Sequence, residues 1–151
     1  MKVVIVGGVA GGATAAARIR RLDEKAEIVV FERSGYISYA NCGLPYYIGD
    51  VITDAEELTL QTPESFYSRF RVDMRVHHEV TAIHPEKKTV SVKNLKTGEE
   101  FEESYDKLIL SPGAKPTQPR FSGTELDKVF TLRTVEDTLR IKKYINQNHP
   151  K

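Results

Sequence analysis

The segment Val6-Gly7-Gly8-Val9-Ala10-Gly11-Gly12 lies between a β-branched apolar run and an alanine-rich stretch. It restricts the fold more than any other part of the chain. Lys2 to Val6 has the pattern of a strand buried on both faces, and the residues after the glycines to about Leu22 read as a helix. Glu27 to Phe31 repeats the buried-strand pattern and ends on Glu32. Two such strands bridged by one helix make a βαβ unit, which requires parallel pairing and a sheet covered by other elements. The expected class is therefore α/β, with a Rossmann-like domain built on a central parallel sheet.

The spacing Gly7-x-Val9-x-x-Gly12 is a dinucleotide-binding fingerprint with its middle glycine replaced. Gly7 permits a tight turn, and Gly12 lets the helix pack closely on the sheet. The helix start would offer free amides and positive dipole potential to a pyrophosphate. Val9 departs from the pattern, because a side chain stands where backbone usually approaches the phosphates. Glu32, twenty residues past Gly12, can accept hydrogen bonds from a ribose diol and repel a 2′-phosphate. FAD and NAD both fit such a turn. Leu108-Ile109-Leu110-Ser111-Pro112-Gly113, a second buried strand ending in a tight turn, favours FAD.

Beyond this unit, Ser34 to Gly49 carries Gly, Pro, Asn and four tyrosines, the make-up of loop and short helix around a site. Pro63 to Phe70 reads as a helix with Thr62 as N-cap. Val80 to His84, Thr89 to Asn94 and Glu100 to Tyr105 alternate between turns, which predicts an antiparallel β-meander inserted in the domain. A last helix is expected over about Thr134 to Asn146. The chain then reaches His149-Pro150-Lys151, where a helix breaker would hand over to another element.

With 151 residues and a net charge of +1, the chain suits one soluble domain with no global field for nucleic acid or an anionic membrane. No apolar run approaches the length of a bilayer span. One cysteine cannot form an internal disulfide and suits a reducing compartment, so a cytoplasmic location is expected. His77, His78, His84 and His149 lack metal-ligand context, and no metal site is anticipated.

That cysteine, Cys42, lies in Ser38-Tyr39-Ala40-Asn41-Cys42-Gly43-Leu44-Pro45-Tyr46. If redox-active, it must pair with an external small thiol or pass through a sulfenic acid. Positions 37 and 47 are Ile and Tyr, so a CxxxxC dithiol is excluded. A short helix beginning at Cys42 would stabilise its thiolate; the competing reading is a buried structural cysteine. Thr14, Arg18 and Arg21 share a helix face opposite Ala15, Ile19 and Leu22, the stripe expected to meet the sheet. Two guanidiniums there could clamp phosphates. From the helix alone, the better reading is that they simply face solvent.

Gly7 to Thr14, Ala17 to Leu22, Phe31-Glu32-Arg33, Ser38 to Tyr46 and Tyr105 to Ala114 together closely resemble the flavin-binding start of coenzyme A disulfide reductases. These enzymes are a branch of the pyridine nucleotide-disulfide oxidoreductases, and the valine at position 9 is usual among them. The resemblance implies a flavoprotein in which NAD(P)H reduces FAD and a single cysteine exchanges with coenzyme A. It makes Cys42 the catalytic nucleophile. It assigns FAD contacts to Gly7, Val9, Ala10, Gly12, Glu32, Arg33, Asn41, Cys42, Val80, Ser111, Pro112 and Gly113. Coenzyme A contacts fall on Thr14, Arg18, Arg21, Ser38 and Asn41, which turns the arginine clamp into the favoured reading.

Members of that branch are about three times as long and add a nicotinamide-binding domain and a dimerisation domain. Residues 1–151 are thus expected to be an incomplete N-terminal FAD-binding domain of a homodimeric enzyme, unable to turn over alone. Competing readings are an NADH oxidase or peroxidase cycling Cys42 through sulfenic acid, a persulfide reductase carrying a rhodanese domain, and a non-catalytic nucleotide-binding fragment.

Overall fold

In the computed structural model, which describes residues 1–126 and 128–150, strand β1 (Lys2–Val6), helix α1 (Ala10–Leu22) and strand β2 (Glu27–Glu32) form the anticipated βαβ unit. Helices α2 (Leu44–Ile48) and α3 (Pro63–Phe70) follow, then β3 (Asp73–Val76). Strands β4 (His78–His84), β5 (Thr89–Asn94) and β6 (Glu100–Ser104) precede β7 (Lys107–Leu110) and helix α4 (Val135–Asn148). Four strands make a parallel sheet of order β3-β2-β1-β7, and three make the meander β4-β5-β6. The chain divides into two units: Met1–Tyr39 with Leu60–Gly113, and Ala40–Thr59 with the residues from Ala114 onward.

Alternation along β1 and β2 decides what covers each side of the parallel sheet. Successive side chains point to opposite faces, so Val3, Ile5, Ile28 and Val30 share one face. They pack there with Ala13, Ala16 and Ala17 of α1 and Phe66 of α3. Val4, Val29 and Phe31 share the other, against Val90 and Val92 of β5. The first unit is therefore three layers deep, helices on one side and meander on the other. Each of the Val, Ile and Phe side chains among them contributes roughly 1.5–3 kcal/mol by leaving water. This two-sided burial explains why β1 and β2 read as continuous apolar runs.

Several details differ from the sequence reading, among them Leu110, read within a buried strand but 56% exposed at the end of β7. Leu22 was expected to meet the sheet, yet it is 70% exposed. The buried stripe of α1 is Gly12, Ala13, Ala16 and Ala17, flanked by the half-buried Ala15 and Ile19. At about 100° per residue, Leu22 points roughly 150° away from the centre of that stripe. Strand β3 was not anticipated, since Asp73-Met74-Arg75-Val76 is short, half charged and pairs with β2 alone. The last helix runs to Asn148, past the expected end near Asn146.

Helix α3 begins as foreseen, with the Thr62 and Ser65 side chains reciprocally capping the first turn and Pro63 at its start. In the second unit α4 begins with a similar box from Thr134 and Asp137. Its Lys142 Nζ donates to the Ile48 carbonyl at 3.0 Å and to Asp50 Oδ1 at 2.6 Å, tying α4 to the end of α2. Lys151, the end of the expected domain, lies outside the described residues. Among the described residues no helix is long and apolar enough to cross a membrane.

Candidate functional site

The turn between β1 and α1 is built by backbone contacts that leave no room for a side chain at Gly7 or Gly12. Gly7 has φ +97°, and a Cβ placed there would stand 2.1 Å from the Ser111 carbonyl oxygen. A Cβ on Gly12 would stand 1.8 Å from the Gly7 carbonyl oxygen. Ser111, directly after β7, donates its N–H to the Val6 carbonyl at 2.8 Å, so the tip of β7 lies against the glycine turn. The two motifs that suggested a shared ligand are thereby brought together within the first unit. Pro112 and Gly113 follow as an exposed turn with φ +72° at Gly113.

The first intrahelical bond of α1 runs from the Ala13 N–H to the Val9 carbonyl at 3.0 Å. Ala10, Gly11 and Gly12 therefore have amides without an intrahelical acceptor. Val9 occupies the N-cap, has no side chain able to cap, and the first turn carries no acid. Glu32 closes one side of the turn: its oxygens accept the N–H of Gly8 and of Ser34, each at 2.8 Å. Two bonds leave a carboxylate with spare acceptor capacity. Free amides, a fixed carboxylate and close-packed glycines at positions 7 and 12 suit the phosphate and ribose portions of a dinucleotide, with Val9 as the one side chain larger than hydrogen in the turn. Arg33, exposed, lies 3.8 Å from Glu79, and Val80 packs onto the core between the two sheets.

A cavity of about 440 Å³ opens beside α1, and the first unit contains all of it. Ala13 and Ala17 form part of its wall, with Thr14, Arg18 and Arg21 on the same helix and Ser38 from the loop after β2. Four of the five expected substrate contacts thus meet in one place; Asn41 belongs to the other unit. The remaining wall, missed by the sequence reading, comes from Leu60, Gln61 and the α3 residues Phe66, Arg69 and Phe70. Among the described residues no carboxylate lines the cavity. Among the described residues, Arg18 and Arg21 have no hydrogen-bond or ion-pair partner.

Arg20 shows what a structural arginine on this helix looks like. It donates to the carbonyls of Phe70, Asp23, Glu24 and Arg71 at 2.7–3.2 Å, locking the ends of α1 and α3 together. Arg18 and Arg21 do none of this, although sequence offers three similar arginines within four positions.

Cys42 is exposed, which removes the reading as a buried structural cysteine. It occupies the middle of a single 3₁₀ turn, Asn41–Gly43, that runs directly into the five-residue α2. The expected helix thus starts two residues later than Cys42. The Gly43 N–H closes the turn on the Ala40 carbonyl at 2.9 Å, and Leu44 anchors the segment in the unit's interior. Asn41 Oδ1 is buried and finds no hydrogen-bond partner among the described residues. A buried acceptor left unpaired costs about 1–3 kcal/mol, so its presence marks a position where a ligand donor would be favourable. Among the described residues no group of His, Cys, Asp or Glu side chains is arranged to hold a metal ion.

A parallel sheet joined to a meander, with a glycine turn at the head of α1, defines a Rossmann-like α/β protein. The chain belongs to the pyridine nucleotide-disulphide oxidoreductase family, which matches residues 1–149. It is 52% identical to a coenzyme A disulfide reductase of Staphylococcus aureus over 147 residues, 97% of this chain and 33% of the relative. The chain therefore spans about one third of the length of the curated relatives it matches. Reduced CoADR-RHD of Bacillus anthracis superposes with a TM-score of 0.96 at 57% identity, covering 99% of this chain and 27% of that one. An NAD-dependent persulfide reductase from A. fulgidus gives 0.91 at 35% identity, covering 98% and 28%. A water-forming NADH oxidase from Lactobacillus brevis gives 0.89 at 31% identity, covering 97% and 32%.

Proposed function

We propose that this chain is the N-terminal, FAD-binding part of an NAD(P)H-dependent disulfide reductase that acts on coenzyme A disulfide through Cys42. The observation that carries the reading is the exposure of the chain's lone thiol, which has no second cysteine to pair with. A single accessible thiol can reduce a disulfide by forming a mixed disulfide with half of the substrate. The similarity to coenzyme A disulfide reductases along nearly the whole chain supports the same substrate.

The α1 amides and Ser111 to Gly113 would hold the pyrophosphate region of FAD, and Glu32 a ribose; Arg33, Asn41, Cys42 and Val80 complete the proposed set. When bound, FAD supplies a two-electron relay from NAD(P)H. The Cys42 thiolate attacks one sulfur of coenzyme A disulfide, forming a Cys42–coenzyme A bond as the substrate S–S bond breaks. The departing coenzyme A thiolate takes a proton. Two electrons then cleave the mixed disulfide, and a second proton completes release of the second coenzyme A with Cys42 restored as thiolate. Thr14, Arg18, Arg21, Ser38 and Asn41 would hold the substrate while this exchange occurs. The nicotinamide site and a dimer contact lie, in this proposal, in the longer protein.

The cationic cavity favours this reading over an oxidase, since dioxygen needs no phosphate clamp. In steady-state assays of the complete reductase, Arg18→Gln combined with Arg21→Gln should raise KM for coenzyme A disulfide about 10–100-fold with kcat little changed. Turnover of a small uncharged disulfide should stay the same. Equal losses on both substrates would reject the cavity as the substrate clamp.

A further inference from the structure

Helix α2 has five residues, too few to be stable alone, so whatever holds its two ends decides where Cys42 sits. It follows directly on the 3₁₀ turn that carries Cys42, and the two make one continuous helical piece. Buried Leu44 and the Gly43 N–H on the Ala40 carbonyl fix the start of that piece. The far end is held from another helix of the same unit. Lys142 of α4 donates from Nζ to the carbonyl of Ile48, the last residue of α2, at 3.0 Å and to Asp50 Oδ1 at 2.6 Å. The Lys142 side chain is only 13% exposed, whereas that of Asp50 is 75% exposed. An ammonium enclosed to that degree satisfies a carbonyl that a helix end leaves free, and its charge suits the negative end of the helix.

Asp50 has φ +59°, the left-handed conformation at which the chain reverses. Beyond it, the N–H groups of Val51 and Ile52 donate to the Tyr46 carbonyl at 2.9 and 3.2 Å. The reversal returns Ile52 to the start of the piece, where its Cδ1 lies 3.4 Å from the place a Cβ on Gly43 would take. Lys142 therefore holds both the end of α2 and the turn whose returning strand packs beside the residue after Cys42. We infer that Lys142 is a positioning residue for Cys42, acting through α2 and the Asp50 turn. This rests on Cys42 as the reacting thiol and deepens that reading by a residue one hundred positions further along the chain.

Lys142→Met keeps the apolar stem and removes the donors. In steady-state assays of the complete reductase it should lower kcat about tenfold, because a small displacement of a reacting atom is costly. The loss should be equal on coenzyme A disulfide and on a small uncharged disulfide, with KM for the former within about twofold of wild type. That pattern is the reverse of the one expected for Arg18 and Arg21. Lys142→Arg retains the charge and the donors and should bring kcat back to within about threefold of wild type. Asp50→Asn changes an exposed side chain while suiting the left-handed backbone, so it serves even where Lys142→Met does not fold. Alone it should lower kcat about threefold, and beside Lys142→Met it should have no further effect. An unchanged kcat in both variants, or a loss confined to KM for coenzyme A disulfide, would overturn the role of Lys142. Should Arg18→Gln with Arg21→Gln strike both disulfides equally while Lys142→Met still lowers kcat on both, the coenzyme A clamp would fall and the role of Lys142 would stand.

Discussion

Cys42→Ser in the complete reductase should abolish NAD(P)H-dependent reduction of coenzyme A disulfide, lowering kcat by about a thousandfold or more. A serine hydroxyl is not ionised near neutral pH and cannot form the covalent sulfur link proposed to pass electrons to the substrate. The substitution replaces one exposed atom in a 3₁₀ turn held by backbone contacts and by buried Leu44. Its effect on stability should stay within about 0.5 kcal/mol. Loss of turnover with an unchanged urea midpoint would place the effect on chemistry. Retention of even one tenth of the wild-type kcat would show that another group carries the electrons.

Gly12→Val should cost the most stability of any single change considered. The new Cβ would meet the Gly7 carbonyl oxygen at 1.8 Å and the Gly7 carbonyl carbon at 2.9 Å, both backbone atoms that cannot rotate aside. Relief requires α1 to move off β1, which opens the layer built from Val3, Ile5, Ala13 and Ala16. A loss of about 4 kcal/mol or more is expected, a large share of the 5–15 kcal/mol typical of a domain. Gly11→Ala is the informative contrast. Its Cβ meets only the Ser111 side chain, with Oγ at 3.1 Å, and that hydroxyl can turn away. Alanine also gains up to about 1 kcal/mol in helix propensity over glycine. Urea denaturation should therefore separate neighbouring glycines sharply. Equal midpoints for Gly12→Val and wild type would mean that the turn does not make the close contact described.

The part of the fold that packs by strict periodicity was legible in the residues. Strands β1 and β2 are buried on both faces and therefore read as unbroken apolar runs. Thr62-Pro63 announces α3 because capping is a local interaction. Strand β3 was not legible, since its four residues owe their conformation to pairing with β2 rather than to their own pattern. Leu22 misled for a related reason: an apolar residue at a helix end carries no information about where the neighbouring sheet stops.

The candidate site divides in the same way. Glycines reveal themselves by spacing, and the glycine turn meets Ser111 as the two motifs suggested. Arg18, Arg20 and Arg21 cannot be told apart by residue type; their hydrogen bonds separate the structural Arg20 from the two that are unpaired among the described residues. Arg69 and Phe70 were illegible because α3 reaches the cavity only through tertiary packing. A basic residue in the last turn of a helix is common enough to pass without notice.

The account depends most on covalent exchange at Cys42. Intact-mass spectrometry of the complete, air-oxidised reductase, followed by peptide mapping, tests it directly. The account predicts one coenzyme A per chain, attached to the Cys42 peptide and released by a reducing thiol. One added oxygen on Cys42, with no coenzyme A recovered after incubation with coenzyme A disulfide, would contradict it.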